Sequence, residues 1–511
     1  MKSTLVSAIK NECNKLTERH SDYLNALHEE ITRKTKRYDK PYNKEVHTPE
    51  YWRVDKRFNP FYVRSTKRIK CYAHTITKQV KEDAYKPMPA IRHTINKSDG
   101  TTRVLNIFQL PDAALSRLVY KSLLAKNLHK LNSQAFAYRE DRHAHDAIGY
   151  IYNDWKSLDR VFIAEFDFSK FFDNINHTYI YDCMESLDIL ATPQEKSVIK
   201  AFLNSSSTTP DTYSPTLSLP QRERGIPQGT SISLFLANLV CTELDKALER
   251  SGVGFVRYAD DTIIWSQSYQ KVVDAYELIK MFSERMAVPI NIKKSEGISL
   301  LSRDGTGEIQ SKQSINYLGY NISLNSISIK HSKVLAIKKR VSFIIYANLI
   351  QPLKNHTYNT KRLVGIDLDY IVTLNQLRRY LYGGLSSSVL KKYCLGDVKR
   401  INFRGLMSFY PLVNDNNQLQ KLDGWLIYTL KQSLKLRESM WLTHSAISLP
   451  GPETNWIAKI DSYKKWRSPT NTIIYDLGIP SFSLINNAMK QSMEHYGLNS
   501  VVHPRSIYYS D

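Results

Sequence analysis

The sequence has little cysteine and too little acid to balance its bases. Its 511 residues include five cysteines, Cys13, Cys71, Cys183, Cys241 and Cys394, and no two of them form a CxxC pair. That scatter excludes a cysteine-rich zinc site and argues against a disulfide framework, so a reducing compartment is expected. Long apolar runs are also missing, and none approaches the roughly 20 residues that a membrane-spanning helix needs. The N-terminal stretch MKSTLVSAIKNEC meets Lys10 and Glu12 too early for a secretory signal. Together these absences predict a cytoplasmic protein with no membrane partner.

An apolar content of 42% excludes global disorder, and the length corresponds to about three to four domains' worth of chain. Against 49 Asp and Glu stand 71 Lys and Arg, a formal charge of +22. Such an excess points to a polyanionic partner, nucleic acid before anionic membrane. The excess is uneven: residues 1–100 carry +10, residues 101–330 carry −1 and residues 331–511 carry +13. A near-neutral centre between basic flanks suits a carboxylate-dependent reaction whose neighbours grip phosphates.

Patterning gives the elements. Apolar spacing predicts a helix over 1–35, and the Tyr-, Lys- and Pro-rich stretch 36–90 reads as less regular. Residues 91–108 form two β-type runs around Ser-Asp-Gly, a hairpin signal. A helix is expected at 111–131 and a buried strand at 160–168. Another helix is expected from Pro227 to about 250, and a strand near 289–292. Residues 331–511 read as mostly helical, with a loop near 414–422.

The acids that carry chemistry stand out by their surroundings. Asp260 and Asp261 lie at a hairpin tip between the β-type runs FVRY and TIIW, and Asp167 follows the apolar strand RVFIAEF. Adjacent acids among apolar strands repel each other unless a cation neutralises them. Three such acids suit Mg²⁺, which prefers carboxylates, water and substrate phosphates. Two ions about 3.5–4 Å apart can activate a hydroxyl and stabilise a leaving oxygen, which is the chemistry of nucleotidyl transfer.

Seven blocks in order then resemble reverse transcriptases. YADD at 258–261, FIAEFDFSKFFDNINH at 162–177 and RGIPQGTSISLFLANL at 224–239 are similar to motifs C, A and B. INKSDGTTRVLNI at 95–107, SQAFAYREDRHAHDAI at 133–148, VPINIKKSEGI at 288–298 and INYLGYNIS at 315–323 resemble the remaining blocks. Departures such as Leu234 for the motif B proline and Ala135 for the usual glycine resemble bacterial abortive-infection and other defence-associated, unknown-group members. Retron motifs and an HNH segment are not recognisable.

The resemblance implies an α+β right-hand polymerase with fingers, an antiparallel palm, a helical thumb and a mostly α-helical C-terminal region. The expected divisions are a basic, Tyr-rich extension at 1–90, fingers and palm at 91–330, and a thumb with an RNA-binding or oligomerising region at 331–511. It implies an RNA-directed DNA polymerase of a bacterial anti-phage system. Asp167, Asp260, Asp261 and the Phe168 carbonyl would hold two Mg²⁺ ions, with Mn²⁺ as a substitute. Lys97, Arg103 and Lys294 would contact the triphosphate, Phe172 would exclude a ribose 2′-hydroxyl, and Gln228 and Gly229 would line the nucleotide. Implied partners are dNTPs, a structured noncoding RNA as template or scaffold, the DNA product and further copies of the chain. A tyrosine primer is a further expectation, with Tyr508, Tyr509, Tyr38, Tyr42 and Tyr51 as candidates. The alternative is an RNA-binding splicing cofactor resembling a group II intron maturase.

Overall fold

The computed structural model describes residues 1–501 except 39, 97–99, 101, 216–218, 293–294, 296, 304–310, 364–366, 444–448, 450–464 and 468–473; for 465–467, 474 and 475 it fixes the backbone alone.

A five-stranded sheet organises the centre. Arg160–Phe166 lies in its middle, antiparallel to Asp261–Ser266 on one side and to Ile298–Ser302 on the other. Gly254–Tyr258 and Ser311–Lys312 form the two edges. Successive strand residues point to opposite faces, so the sheet feeds two cores. Ala164, Phe166, Phe255 and Ile264 join one core, which is built with the helices Ser231–Ser251 and Tyr269–Met286. Val161, Ile163, Val256, Ile263 and Trp265 join the other, with helix Ala144–Trp155 and most of the chain beyond 315. Because the central strand packs on both faces, its residues from Val161 to Phe166 are apolar apart from the half-buried Glu165.

Three smaller sheets surround it. The long hairpin Ala90–Asn96 with Thr102–Ile107 is extended in parallel by Ser207–Thr208. Ile315–Tyr317, Tyr320–Ile322 and Ile327–Ile329 form an antiparallel meander. Lys465–Arg467 pairs with Ile474–Asp476. Beyond the meander the described residues are mainly helical, including His331–Ile345, Leu368–Tyr382, Asn416–Leu442 and Phe482–Tyr496. No described helix is long and apolar enough to cross a membrane.

Three expectations need correction. The stretch 36–90 contains a regular helix, Thr66–Lys81, whose Ile69, Ala73, Ile76 and Val80 are buried at helical spacing. The supposed loop at 414–422 is mostly the first turns of Asn416–Leu442, where Asp415 accepts a hydrogen bond from the Gln418 N–H at 3.0 Å. Its polar run is thus a helix start. Residues 289–292 are not a strand: Ile290 makes one isolated bridge to Phe168, and the strand of this segment lies at Ile298–Ser302. Pro289 has no N–H to give to a ladder.

Candidate active site

The two strands that carry the acids are neighbours, so their ends meet. Asp167 follows Phe166, the last residue of the central strand, while Asp260 lies in the two-residue turn after Gly254–Tyr258 and Asp261 opens the strand Asp261–Ser266 that pairs with the central one. All three line one cavity of about 910 Å³, together with Phe168, Phe172, Arg103, Gln228, Tyr138 and Asn291.

The Ala259–Asp260 turn is held from beneath. Ala259 takes a left-handed φ of 61°, and its carbonyl accepts a hydrogen bond from Arg257 Nη1 at 3.0 Å. Arg257 is itself buried and clamped to Asp245 by two bonds of 2.7 and 2.6 Å. Burial pulls the guanidinium pKa down, but the Asp245 carboxylate outweighs it and leaves Arg257 above its ordinary value. Tyr317 of the meander donates to the Asp261 carbonyl at 3.1 Å. Burial first, and the Asp261 charge second, push that phenol pKa well up, so it remains a donor.

Asp167 is supported from the 288–295 segment. Asn291 Nδ2 donates to its Oδ2 at 2.9 Å, and the Asn291 backbone N–H to its carbonyl at 2.7 Å. Ser169 N–H donates to the Pro289 carbonyl at 2.8 Å. Because these flanking bonds close the Phe168–Ile290 bridge, the Phe168 carbonyl points away from that segment.

The opposite wall joins the long hairpin to the 224–229 loop. Arg103 Nε donates to Gln228 Oε1 at 2.8 Å, and Gln228 Nε2 donates to Asp173 Oδ1 at 3.3 Å. The Asn106 N–H donates to the Gln228 carbonyl at 2.6 Å. Gly229, at φ +122°, is required here, since a Cβ would lie 2.2 Å from the Asn106 carbonyl oxygen. Phe172 is buried, with its ring edge-on to Tyr138 at 6.3 Å. Tyr138, with a φ of 59°, lines both the acid cavity and a neighbouring cavity of about 450 Å³. That second space shares Arg103, Phe172 and Gln228 and is also lined by Lys15, Arg19 and Tyr51.

Sequence reasoning thus named Asp167, Phe168, Asp260, Asp261, Arg103, Phe172, Gln228 and Gly229. The structure brings all but Gly229 to the acid cavity, and Gly229 lines the neighbouring one. Lys97, Lys294, Tyr508 and Tyr509 lie outside the described residues. Asn291, Asp173 and Tyr138 were not singled out. Asn291 lies three residues before Lys294, in a block already quoted, so proximity to that block was the available signal.

Among the described residues no three His, Cys, Asp or Glu side chains form a ready-made metal cluster. The donors at the cavity are nevertheless all oxygen, which suits a hard cation that completes its shell with water and phosphate. Asp167, Asp260, Asp261 and the Phe168 carbonyl could hold such an ion.

Residues 95–322 match the family described as reverse transcriptase (RNA-dependent DNA polymerase). Among individual relatives, the chain is 26% identical over 207 residues to Retron Ec86 reverse transcriptase of Escherichia coli, covering 40% of this chain and 57% of that one. It is 24% identical over 191 residues to protein YkfC of Escherichia coli strain K12, covering 37% and 48%. The chain thus spans about half the length of the curated relatives it matches. A telomerase from Candida albicans, in complex with a TWJ fragment of telomeric RNA, is similar with a TM-score of 0.40 and 12% identity, over 78% of this chain and 68% of that one.

Proposed function

We propose that the protein is an RNA-directed DNA polymerase acting by two-metal nucleotidyl transfer. One observation carries this reading: Asp167, Asp260 and Asp261 open into a single cavity whose far wall holds Arg103, Gln228 and Phe172. When bound by the three carboxylates and the Phe168 carbonyl, a pair of Mg²⁺ ions would activate the attacking hydroxyl and neutralise the departing pyrophosphate. The remaining work belongs to the chain. The planar Arg103 guanidinium grips triphosphate oxygens, with Lys97 and Lys294 as further cations. Gln228 and Gly229 hold the nucleotide against the long hairpin. The Phe172 ring occupies the space that a ribose 2′-hydroxyl needs, which selects dNTPs. Catalysis is then positioning and charge stabilisation. Residues 91–330 act as fingers and palm, and residues 331–511 as a helical thumb, which begins near 331, followed by a C-terminal RNA-binding or oligomerising region.

The finer reading is a bacterial anti-phage enzyme that copies a structured noncoding RNA, works as a homo-oligomer and can begin on a protein hydroxyl. Tyr51 is the supported primer, because it lines the space that shares Arg103, Phe172 and Gln228 with the acids. Extension of a DNA primer on an RNA template, with dNTPs or rNTPs and Mg²⁺, tests the main claim. dNTP incorporation that survives Asp260→Asn would sink it. Label that never migrates with denatured protein in a primer-free reaction would exclude self-priming, and unchanged phage plating with Asp260→Asn would exclude a defence role for the polymerase.

A further inference from the structure

Helix Thr66–Lys81 lies outside the matched domain and has two unlike sides. Ile69, Ala73, Ile76, Thr77 and Val80 are buried, and the helix packs on the N-terminal helix Lys2–Tyr38 and on Pro193–Leu203. Lys67, Lys70, His74, Lys78 and Lys81 are all exposed. At 100° per residue these five fall within a sector of about 80°, in a row about 21 Å long. No acid interrupts the stretch: residues 56–81 hold eight Lys or Arg and no Asp or Glu. Lys78 meets Glu82 only at 3.9 Å, and among the described residues Lys67, Lys70 and Lys81 have no ion-pair partner. Beside the row, Arg68 sits 3.7 Å from the centre of the Tyr62 ring, and Phe61 is 41% exposed.

A solvated helix face normally mixes signs, because like charges three or four residues apart repel. A row of one sign is stabilised by a polyanion. A membrane is a poor candidate, since a basic amphipathic helix binds lipid by burying its apolar face in the bilayer. That face is here already inside the protein. A phosphate backbone needs only cations in a row, without base contacts.

We propose that helix Thr66–Lys81 is a docking rail for the backbone of a structured RNA, engaged through Lys67, Lys70, Lys78 and Lys81. The choice of RNA over DNA rests on the polymerase reading; the rail itself does not. Its binding is independent of base sequence and separate from the catalytic cavity.

The test uses the full chain and a labelled RNA hairpin titrated across a range of salt. Replacing the four lysines together by Gln should weaken binding at least tenfold at about 150 mM salt and make the plot of log K against log salt shallower by about 3. Replacing them by Arg should preserve both, which separates charge from folding. A control with Lys271, Lys280 and Arg285 all changed to Gln, on the exposed side of Tyr269–Met286, should bind nearly as the parent does. Equal loss in the control, or no loss with the four glutamines, overturns the rail. Equally tight, equally lysine-dependent binding of a DNA hairpin overturns the assignment to RNA. Rail-dependent binding to anionic vesicles with RNA binding intact overturns it in favour of a membrane. Primer extension by the parent chain is measured alongside; its absence would count against the polymerase reading while the salt slopes still decide the rail.

Discussion

Two arrays of charge, one in each half of the molecule, are built in opposite ways. In the C-terminal half, Arg437 donates to Asp367 at 2.7 Å and to Asp369 at 3.3 Å, and Arg37 from the N-terminal helix reaches Asp369 at 3.1 Å. Arg37 also meets Asn348 at 2.6 Å, and Arg437 meets the Leu349 carbonyl at 2.6 Å. Arg37, Asp367, Asp369 and Arg437 are all buried. Burial raises the Asp367 pKa despite the opposing Arg437 charge, and burial lowers that of Arg37 despite Asp369. Among the described residues of the sheet half, only Arg257 and Asp245 are an ion pair enclosed in this way. A few residues on, Asp260 is half-buried and Asp261 exposed on a cavity wall. Enclosed charges join elements to each other. The acids at the cavity wall instead border open space that a ligand can enter.

The sharpest test of that contrast is to remove one charge of each kind. Asp260→Asn should reduce nucleotide incorporation by about 100- to 1000-fold. Stability should change by no more than about 1 kcal/mol, since a carboxylate at the wall is replaced by a neutral group of the same shape. Steady-state extension and a urea melt of the same preparation decide it. A large stability change with retained activity would make Asp260 a structural residue.

Arg437→Met should do the reverse. It leaves Asp367 and Asp369 enclosed with less countercharge, an expected loss of about 3–5 kcal/mol. Activity per folded molecule should remain, because the C-terminal array does not line the cavity. Urea unfolding with activity normalised to the folded fraction measures both. Arg257→Met should fail in both respects, since the same guanidinium neutralises Asp245 and holds the Ala259 carbonyl of the acid turn.

Between these extremes lies Asp173, whose carboxylate faces the wall yet acts through a neighbour. Its Oδ1 accepts from Gln228 Nε2, which leaves the Gln228 oxygen directed at Arg103. A carboxylate can only accept, so it fixes which end of the amide faces which way. Asp173→Asn should raise the dNTP KM about 5- to 20-fold, with kcat little changed. In a Gln228→Ala background the same change should have almost no further effect. Additive effects would show that Asp173 works independently of Gln228.

The acid site was legible in the sequence because its signal is local. Asp260 and Asp261 interrupt two β-type runs, and Asp167 ends an apolar one, so strand pairing alone brings them close. Asn291, Asp173 and Tyr138 were not legible in the same way. Each owes its place to a contact with a distant segment, such as Asn291 with Asp167 across 124 positions. The C-terminal array is the extreme case, with Asp369 receiving Arg37 from 332 residues away. Helix Thr66–Lys81 was legible in principle. Its buried period of Ile69, Ala73, Ile76 and Val80 was masked by the lysines on the opposite side.

The smallest expected effect separates two buried titrating groups, one on each side of the helix-bearing cores. His145, on helix Ala144–Trp155, is buried with Nδ1 3.1 Å from the Tyr320 hydroxyl. Burial, with His143 adding, lowers its pKa from 6.5 to about 4. The unfolded chain therefore takes up a proton that the folded one refuses, and this contribution to stability is lost as pH falls from about 6.5 toward 4. Asp112 has the opposite sign. Burial raises it to about 6 although Tyr85 and Met88 donate to it, so its contribution is present below 3.8 and lost as pH rises through about 6. His145→Phe should remove the first dependence and leave the second. Its melting temperature should lie below the parent's near neutrality, and the gap should narrow as the buffer is taken toward pH 4.5. A gap that stays constant across that range would mean that His145 remains protonated to the same extent folded and unfolded, and that its ring serves packing alone.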